Sequence, residues 1–402
     1  MDTAGTKERD LRSHWMLDPS VVFLNHGSFG ACPKAILQHQ SELRARLESE
    51  PVRFFMREAE PLLDAALAAL GQFIGAQGED LAFVPNATSG VNTVLRSLTF
   101  EPGDELIATD HGYNACNNAL GFVAERAGAK VVLAKVPFPL SSSEEIVQAV
   151  LAKVTPRTRI VLVDHVTSAT GLVFPLQKLV RALEAQGIDT LVDGAHAPGM
   201  LPLDVTAIGA AYYTGNCHKW LCAPKGAAFL HVRKDRQARI RPLSISHGAN
   251  ATRADRSRFR LEFDWVGTVD PTAALCIPEC IRYLGSLFEG GWPELFAYNR
   301  RRTLAARDGL VATLGISPPA PDDTLATLAS VPVPPATAPT ASAGPFDPLQ
   351  DHLWEQARIE LPVWSWPAPP QRLLRVSCQL YNRAEDYTRL SQALREALAA
   401  GK

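Results

Sequence analysis

The sequence predicts an α/β protein: a large domain on a mainly parallel sheet between helices, followed by a smaller α+β domain. Two observations carry this. Short apolar runs alternate with helix-periodic stretches up to about residue 265, the signature of βα units and a parallel sheet. Polar residues able to do chemistry stand directly after those runs, at the strand carboxyl ends where open α/β sheets bind ligands.

In order, 58–73 reads as a helix because Leu62, Leu63, Ala66, Leu67 and Leu70 fall on one face. The run 81–84 is a strand that ends in Pro85-Asn86-Ala87-Thr88-Ser89-Gly90, and 91–98 follows as a helix. The runs 105–108 and 131–133 read as buried strands, and 143–152 as a helix opened by small polar residues. Then come a strand at 160–164, a helix at 176–186, and strands at 190–193, 211–214 and 227–232. Beyond 265 the pattern changes. The stretches 273–288 and 293–314 read as two long helices, and 331–348, rich in Pro, Ala, Thr and Ser, as a loop. A strand at 373–380 and a helix at 384–399 close the chain. The expected divisions are a segment 1–20 packing with the small domain, a large domain 21–267 and a small domain 268–402.

Composition narrows the function. With 46% hydrophobic and 20% charged residues the chain is ordinary globular material, and a net charge of -2 gives no general attraction to nucleic acid or an anionic membrane. No run approaches the roughly 20 apolar residues that cross a bilayer. Residues 1–18 are polar and mixed in charge, unlike a secretory signal. The cysteines (Cys32, Cys116, Cys217, Cys222, Cys276, Cys280, Cys378) are odd in number and scattered, so they form no disulfide framework. Cys276 and Cys280 lack the second pair that a zinc site needs. The thiols read as reduced, buried small hydrophobes in a cytoplasmic protein.

The chemistry concentrates between 190 and 220. A short apolar strand ends in Asp193-Gly194-Ala195-His196, and Tyr212-Tyr213-Thr214-Gly215-Asn216-Cys217-His218-Lys219-Trp220 follows. An aldehyde cofactor needs an amine to hold it and an anion to keep its pyridine nitrogen protonated, so that the ring can accept electrons. Lys219 and Asp193 fill these roles. Alone, each is an ordinary surface lysine or turn acid; the pair in this setting points to pyridoxal 5′-phosphate (PLP) held on Lys219 as a Schiff base.

These motifs resemble the class V aminotransferase family of fold-type I PLP enzymes, and within it isopenicillin N epimerase-like proteins. The resemblance covers almost the whole chain. It includes Phe23-Leu24-Asn25-His26-Gly27-Ser28-Phe29-Gly30, Asp164-His165-Val166-Thr167-Ser168-Ala169-Thr170-Gly171, Gly267-Thr268-Val269-Asp270-Pro271 and Leu374-Arg375-Val376-Ser377. It implies a seven-stranded, mainly parallel sheet in the large domain. Ala87 and Thr88, at a helix start suited to a dianion, and His218 would hold the phosphate. Tyr113, two residues after His111, would stack on the ring. Ser168 would contact the ring's phenolic oxygen, and His196 would orient Asp193 or pack below the ring. Arg375 would bind the substrate carboxylate in a bidentate fork, with Asn25 and Gly27 lining the same side. Thr268 would reach the cofactor of a neighbouring subunit, giving a homodimer with shared active sites. No metal is implied.

The expected substrate is a small molecule, an amino acid, whose Cα proton Lys219 removes. Epimerisation, transamination and β-elimination share that step. A cysteine desulfurase is disfavoured, because no cysteine lies between Cys280 and Cys378 to accept sulfur. A C–S β-lyase on a cysteine conjugate needs no such thiol and stays open. A non-catalytic PLP-binding protein has little use for Arg375. An α/β protein without PLP would leave 86–90 as a plain helix cap.

Overall fold

The computed structural model describes residues 10–336 and 346–401. Its strands, in chain order, are β1 (Val22–Phe23), β2 (Leu81–Val84), β3 (Glu105–Thr109), β4 (Lys130–Ala134), β5 (Thr158–Asp164), β6 (Asp189–Asp193), β7 (Tyr212–Asn216), β8 (Ala228–Val232), β9 (Leu328–Val333), β10 (Ile359–Glu360), β11 (Val363–Ser365) and β12 (Arg372–Ser377). Seven of them form the main sheet in the order β2-β8-β7-β6-β5-β3-β4. Only β8 runs against the rest.

Both faces of this sheet are covered, which is why its strands read as unbroken apolar runs. Val161 and Val163 of β5 pack into one core with the helices Ala59–Ile74 and Leu176–Glu184, while Ile160 and Leu162 enter a second core with Ala87–Ser97 and Asn114–Ala127. The two-residue alternation of a strand sorts them. The chain leaves β3 outward to β4, then returns to β5 on the other side of β3. That reversal opens a crevice at the carboxyl ends of β3 and β5.

Several expectations need correction. The run 131–133 is not a buried strand: β4 is the sheet edge, with Val131 37% and Leu133 49% exposed. The single helix 273–288 is two, Thr272–Leu275 and Ile277–Ser286, broken at Cys276. Pro278 sits in the first turn of the second, where its missing N–H costs nothing. The Pro-rich stretch 331–348 is not all loop. It opens inside β9, an edge strand that tolerates Pro332, and ends in the helix Pro348–Ala357; 337–345 lie outside the described residues. The helix Lys34–Ser49 escaped notice because a buried Gln40 interrupts its stripe of Ile36, Leu43 and Leu47.

A smaller antiparallel sheet, β11-β12-β9, carries Arg375 on its central strand. The N-terminal region joins this part of the molecule. Leu11 and Trp15 cluster with Leu284, Leu295 and Tyr381, and β1 pairs in parallel with β10. No described helix is long and apolar enough to cross a membrane.

The helix Ala87–Ser97 lies so close to β7 that a Cβ on Gly90 would come within 2.2 Å of Thr214 Oγ1. Gly90→Ala is therefore expected to lose about 1–3 kcal/mol of stability by overpacking. Gly121→Ala, in a helix with nothing within 4 Å of the new methyl, is expected to gain about 0.5–1 kcal/mol. Urea unfolding of both variants checks the contrast.

Candidate active site

The register of β5 and β6 sets Asp164 opposite Asp193 at the strand ends, and both are buried. Asp193 Oδ1 accepts the Ala195 N–H at 3.0 Å, and Oδ2 accepts the Cys116 thiol at 3.0 Å. Burial, and then the charge of Asp193, raise the Asp164 carboxyl well above its usual range, while the Tyr113 N–H and Lys219 pull it down. Asp164 is thus biased toward its protonated form. It was not singled out as a site residue, although the signal was there: it ends β5 as Asp193 ends β6.

Lys219 lies in the turn after β7, with Nζ 3.1 Å from His196 Nε2. Burial, followed by the charge of Arg375, lowers its ammonium pKa to about 8 against the opposing pull of Asp193, Asp164 and Cys116. Amine and acid are therefore near enough for the charge of Asp193 to act on Lys219.

At the phosphate end, the helix Ala87–Ser97 begins with Asn86, whose Oδ1 accepts the Ser89 N–H at 2.8 Å. The Ala87 N–H is donated to Asn216 Oδ1 at 2.8 Å, so Ala87 borders the cradle with its own donor committed. The Thr88 hydroxyl bonds Cys116, and the Thr88 N–H has no partner among the described residues. His218 donates Nδ1–H to the Ala227 carbonyl at 2.9 Å, and burial pushes its pKa down to about 4. Its Nε2 becomes a donor only by taking up a proton.

On the β3 side, Tyr113 is 46% exposed at the start of the helix Asn114–Ala127. His111 is spoken for at both nitrogens: Nε2–H donates to the Val136 carbonyl at 3.0 Å, so Nδ1 accepts from Thr170 at 2.8 Å. It is a neutral structural histidine. Thr268 stands on the outer surface after Gly267 (φ +121°), beside a Val269 that is 57% exposed.

Arg375 is 1% exposed. Nη1 donates to the Ser168 carbonyl at 2.6 Å and to its hydroxyl at 3.3 Å, and Nη2 to Asn25 Oδ1 at 3.3 Å. The guanidinium sits 4.8 Å over the Trp364 ring. A Cβ on Gly27 would meet Leu328 Cδ2 at 2.9 Å and Arg375 Nη2 at 3.2 Å, so a larger residue there would crowd the guanidinium. Ser168, the residue expected at the ring oxygen, supports the arginine. No carboxylate pairs with Arg375 among the described residues, and its Nε is without a partner. Trp364 went unnoticed, since a lone aromatic in a short strand carries no signal.

A model of the aminotransferase class-V family matches residues 30–331. The chain belongs to the class V aminotransferase family. Isopenicillin N epimerase of Amycolatopsis lactamdurans is 36% identical over 401 residues, covering 96% of this chain and 97% of that protein. A probable chloroplastic L-cysteine desulfhydrase of Arabidopsis thaliana is 30% identical, over 94% of this chain and 83% of its own length. The fold matches the Escherichia coli cysteine desulfurase CsdA with a TM-score of 0.77 at 20% identity, covering 97% of this chain and 98% of that chain. The cystine C-S lyase C-DES, in complex with its product cysteine persulfide, matches with a TM-score of 0.77 at 21% identity, over 94% and 97%. The class V enzyme described here is PLP-dependent. Its residues fit the cofactor: a buried carboxylate at Asp193 for the pyridinium, a part-neutral amine at Lys219, and a helix start with an unused N–H at Thr88.

The lowered Lys219 pKa has a kinetic consequence. Below pH 8 the free amine fraction changes about tenfold per pH unit. Covalent attachment of added PLP to the apoprotein, followed by absorbance, is expected to accelerate with rising pH and level off above about 8. A midpoint near the ordinary lysine value would contradict the burial argument.

Proposed function

We propose that the enzyme epimerises an α-amino acid at Cα, in the manner of isopenicillin N epimerase. The observation that carries the Cα chemistry is the buried Arg375, a cation without an anion, in the cleft that holds Lys219. An amino-acid carboxylate supplies the missing charge. Identity of 36% with an epimerase along nearly its whole length favours this outcome over the others.

Arg375 binds the carboxylate, with Asn25, Ser168 and Trp364 fixing the guanidinium. Asp193 would hold the ring nitrogen of PLP and Lys219 its aldehyde carbon. PLP supplies an electron sink that acidifies the Cα–H bond. Lys219 Nζ takes that proton as general base, and its lowered pKa suits the task near neutrality. Proton return on the opposite face needs a second donor. His111 has both nitrogens committed, which leaves Tyr113, whose ring also serves as the stacking face. The Thr88 N–H would hold the phosphate, joined by His218 once the anion has brought a proton to its Nε2. Thr268 serves the neighbouring subunit's phosphate, so the enzyme is a homodimer; its exposure beside Val269 supports this. Free, buried cysteines support a reducing, cytoplasmic setting.

A second reading, a C–S β-lyase, draws on the desulfhydrase relative at 30% identity. It uses the same Lys219 and Arg375 and differs only in losing a β-substituent.

The reactions are separated by incubating enzyme with amino acids and cysteine conjugates in D2O. Deuterium at Cα together with the D-isomer, without pyruvate or ammonia, is expected; pyruvate release from a cysteine conjugate would replace the proposal with the lyase. Tyr113→Phe is expected to keep Cα exchange while epimerisation falls about 10²–10⁴-fold, the usual contribution of a general acid.

Arg375→Ala is expected to raise KM by an amount equivalent to about 2–5 kcal/mol, the cost of removing a buried charge partner. Bound PLP should remain. Loss of PLP along with substrate binding would assign Arg375 a purely structural role.

A further inference from the structure

The turn that carries Lys219 is held by two histidines whose proton positions can be read from their partners. His26 Nε2 lies 2.9 Å from the Lys219 carbonyl. A carbonyl only accepts, so Nε2 carries the proton and Nδ1 accepts the Tyr381 hydroxyl at 2.8 Å. His26 thereby pins the lysine's backbone. The second histidine, His196, stands at the lysine's reactive nitrogen and touches the indole of Trp220 with its other ring nitrogen, at 3.3 Å.

We infer that Trp220 is a positioning residue that fixes the tautomer of His196. An indole N–H can only donate. Trp220 therefore holds His196 Nδ1 as an acceptor and places the imidazole proton on Nε2, 3.1 Å from Lys219 Nζ. An Nε2–H cannot face an ammonium productively, since both groups would be donors. It donates only into the lone pair of a neutral amine. The relay from Trp220 through His196 to Lys219 thus selects the free base, the form that attacks an aldehyde and removes a proton. Once the lysine nitrogen is committed to the cofactor, the same Nε2–H remains a fixed donor at the reacting end of the cleft.

The indole is itself held. Trp220 is 1% exposed, and the His26 ring lies against it at 4.8 Å and 51°. A tryptophan in this place therefore links the N-terminal motif to the protonation state of Lys219. Phenylalanine would fill most of the same volume without the N–H. The titratable groups acting on Lys219 are Arg375, which disfavours its cation, and Asp193, Asp164 and Cys116, which favour it. Arg375, Lys219 and His26 also disfavour an imidazolium at His196, but the ring nitrogen that carries the single proton is set by its hydrogen-bond partners.

The inference rests on Lys219 being the cofactor-binding amine, and the test separates the two. The unsubstituted full-length protein is labelled with 15N-histidine, and the His196 resonances, assigned by their loss in His196→Gln, are read with and without PLP. Protonated Nε2 and unprotonated Nδ1 are expected in the PLP-free protein near pH 7.5. An Nδ1–H tautomer or an imidazolium would overturn the inference even if PLP still attached to Lys219. Failure of PLP to attach would instead sink the functional reading, whatever the His196 tautomer. In Trp220→Phe a mixture of the two tautomers is expected, with several-fold slower attachment of PLP at pH 7.5. A folded Trp220→Phe protein that keeps a pure Nε2–H tautomer would also overturn the inference. If that variant fails to fold, the unsubstituted protein decides alone.

Discussion

The structure is organised around a guanidinium buried without an anion. Removing an arginine from water costs several kcal/mol unless its donors are met, and among the described residues Arg375 has no carboxylate to meet them. Three distant segments close on it instead. The turn after β5 offers the Ser168 carbonyl, the N-terminal motif offers Asn25 and Ser28, and β11 lays Trp364 beneath it. Burial lowers the guanidinium pKa only to about 9, so it stays charged at neutral pH. These contacts are neutral, and they orient the cation without cancelling it. A carboxylate ligand therefore finds a charge already desolvated and aimed, with the ordering cost met during folding.

The same uncancelled charge shapes its neighbours. Arg375 adds to burial in pushing Lys219 toward the free amine. Asp193 and Asp164 oppose it, and burial and their own proximity bias Asp164 toward its protonated form. A carboxyl biased toward its neutral form weighs less on Lys219 than an ionised one, which favours the free amine.

The large sheet was legible because its inner strands are buried on both faces and read as apolar runs, and because β3, β5, β6 and β7 end in polar residues. Asp193 and Lys219 stood out as a pair in one stretch of sequence, and Arg375 through the resemblance of 374–377. Less visible was anything decided by packing between distant segments. The edge position of β4 depends on which strands find neighbours, and Val131 and Leu133 look as apolar as any core residue. Trp364 becomes significant only when β11 pairs with β12 under Arg375. The role of Ser168 turned on a carbonyl, which every residue possesses. Asp164 was within reach of the logic used for Asp193, but its altered protonation needs the register that sets the two acids side by side.

Hydrogen-bond direction is the level at which sequence says least and the reaction depends most. His111, His196 and His26 are all buried histidines near one cleft, and composition does not distinguish them. Their partners do. Two carbonyls fix the protons of His111 and His26, and an indole fixes that of His196. His111 is thereby withdrawn from proton transfer, and His26 is confined to holding the backbone. Only His196 directs a proton at the reactive nitrogen. A fold shared with desulfurases and lyases can thus support different outcomes at Cα. The outcome is decided by which few polar hydrogens remain uncommitted around a common lysine.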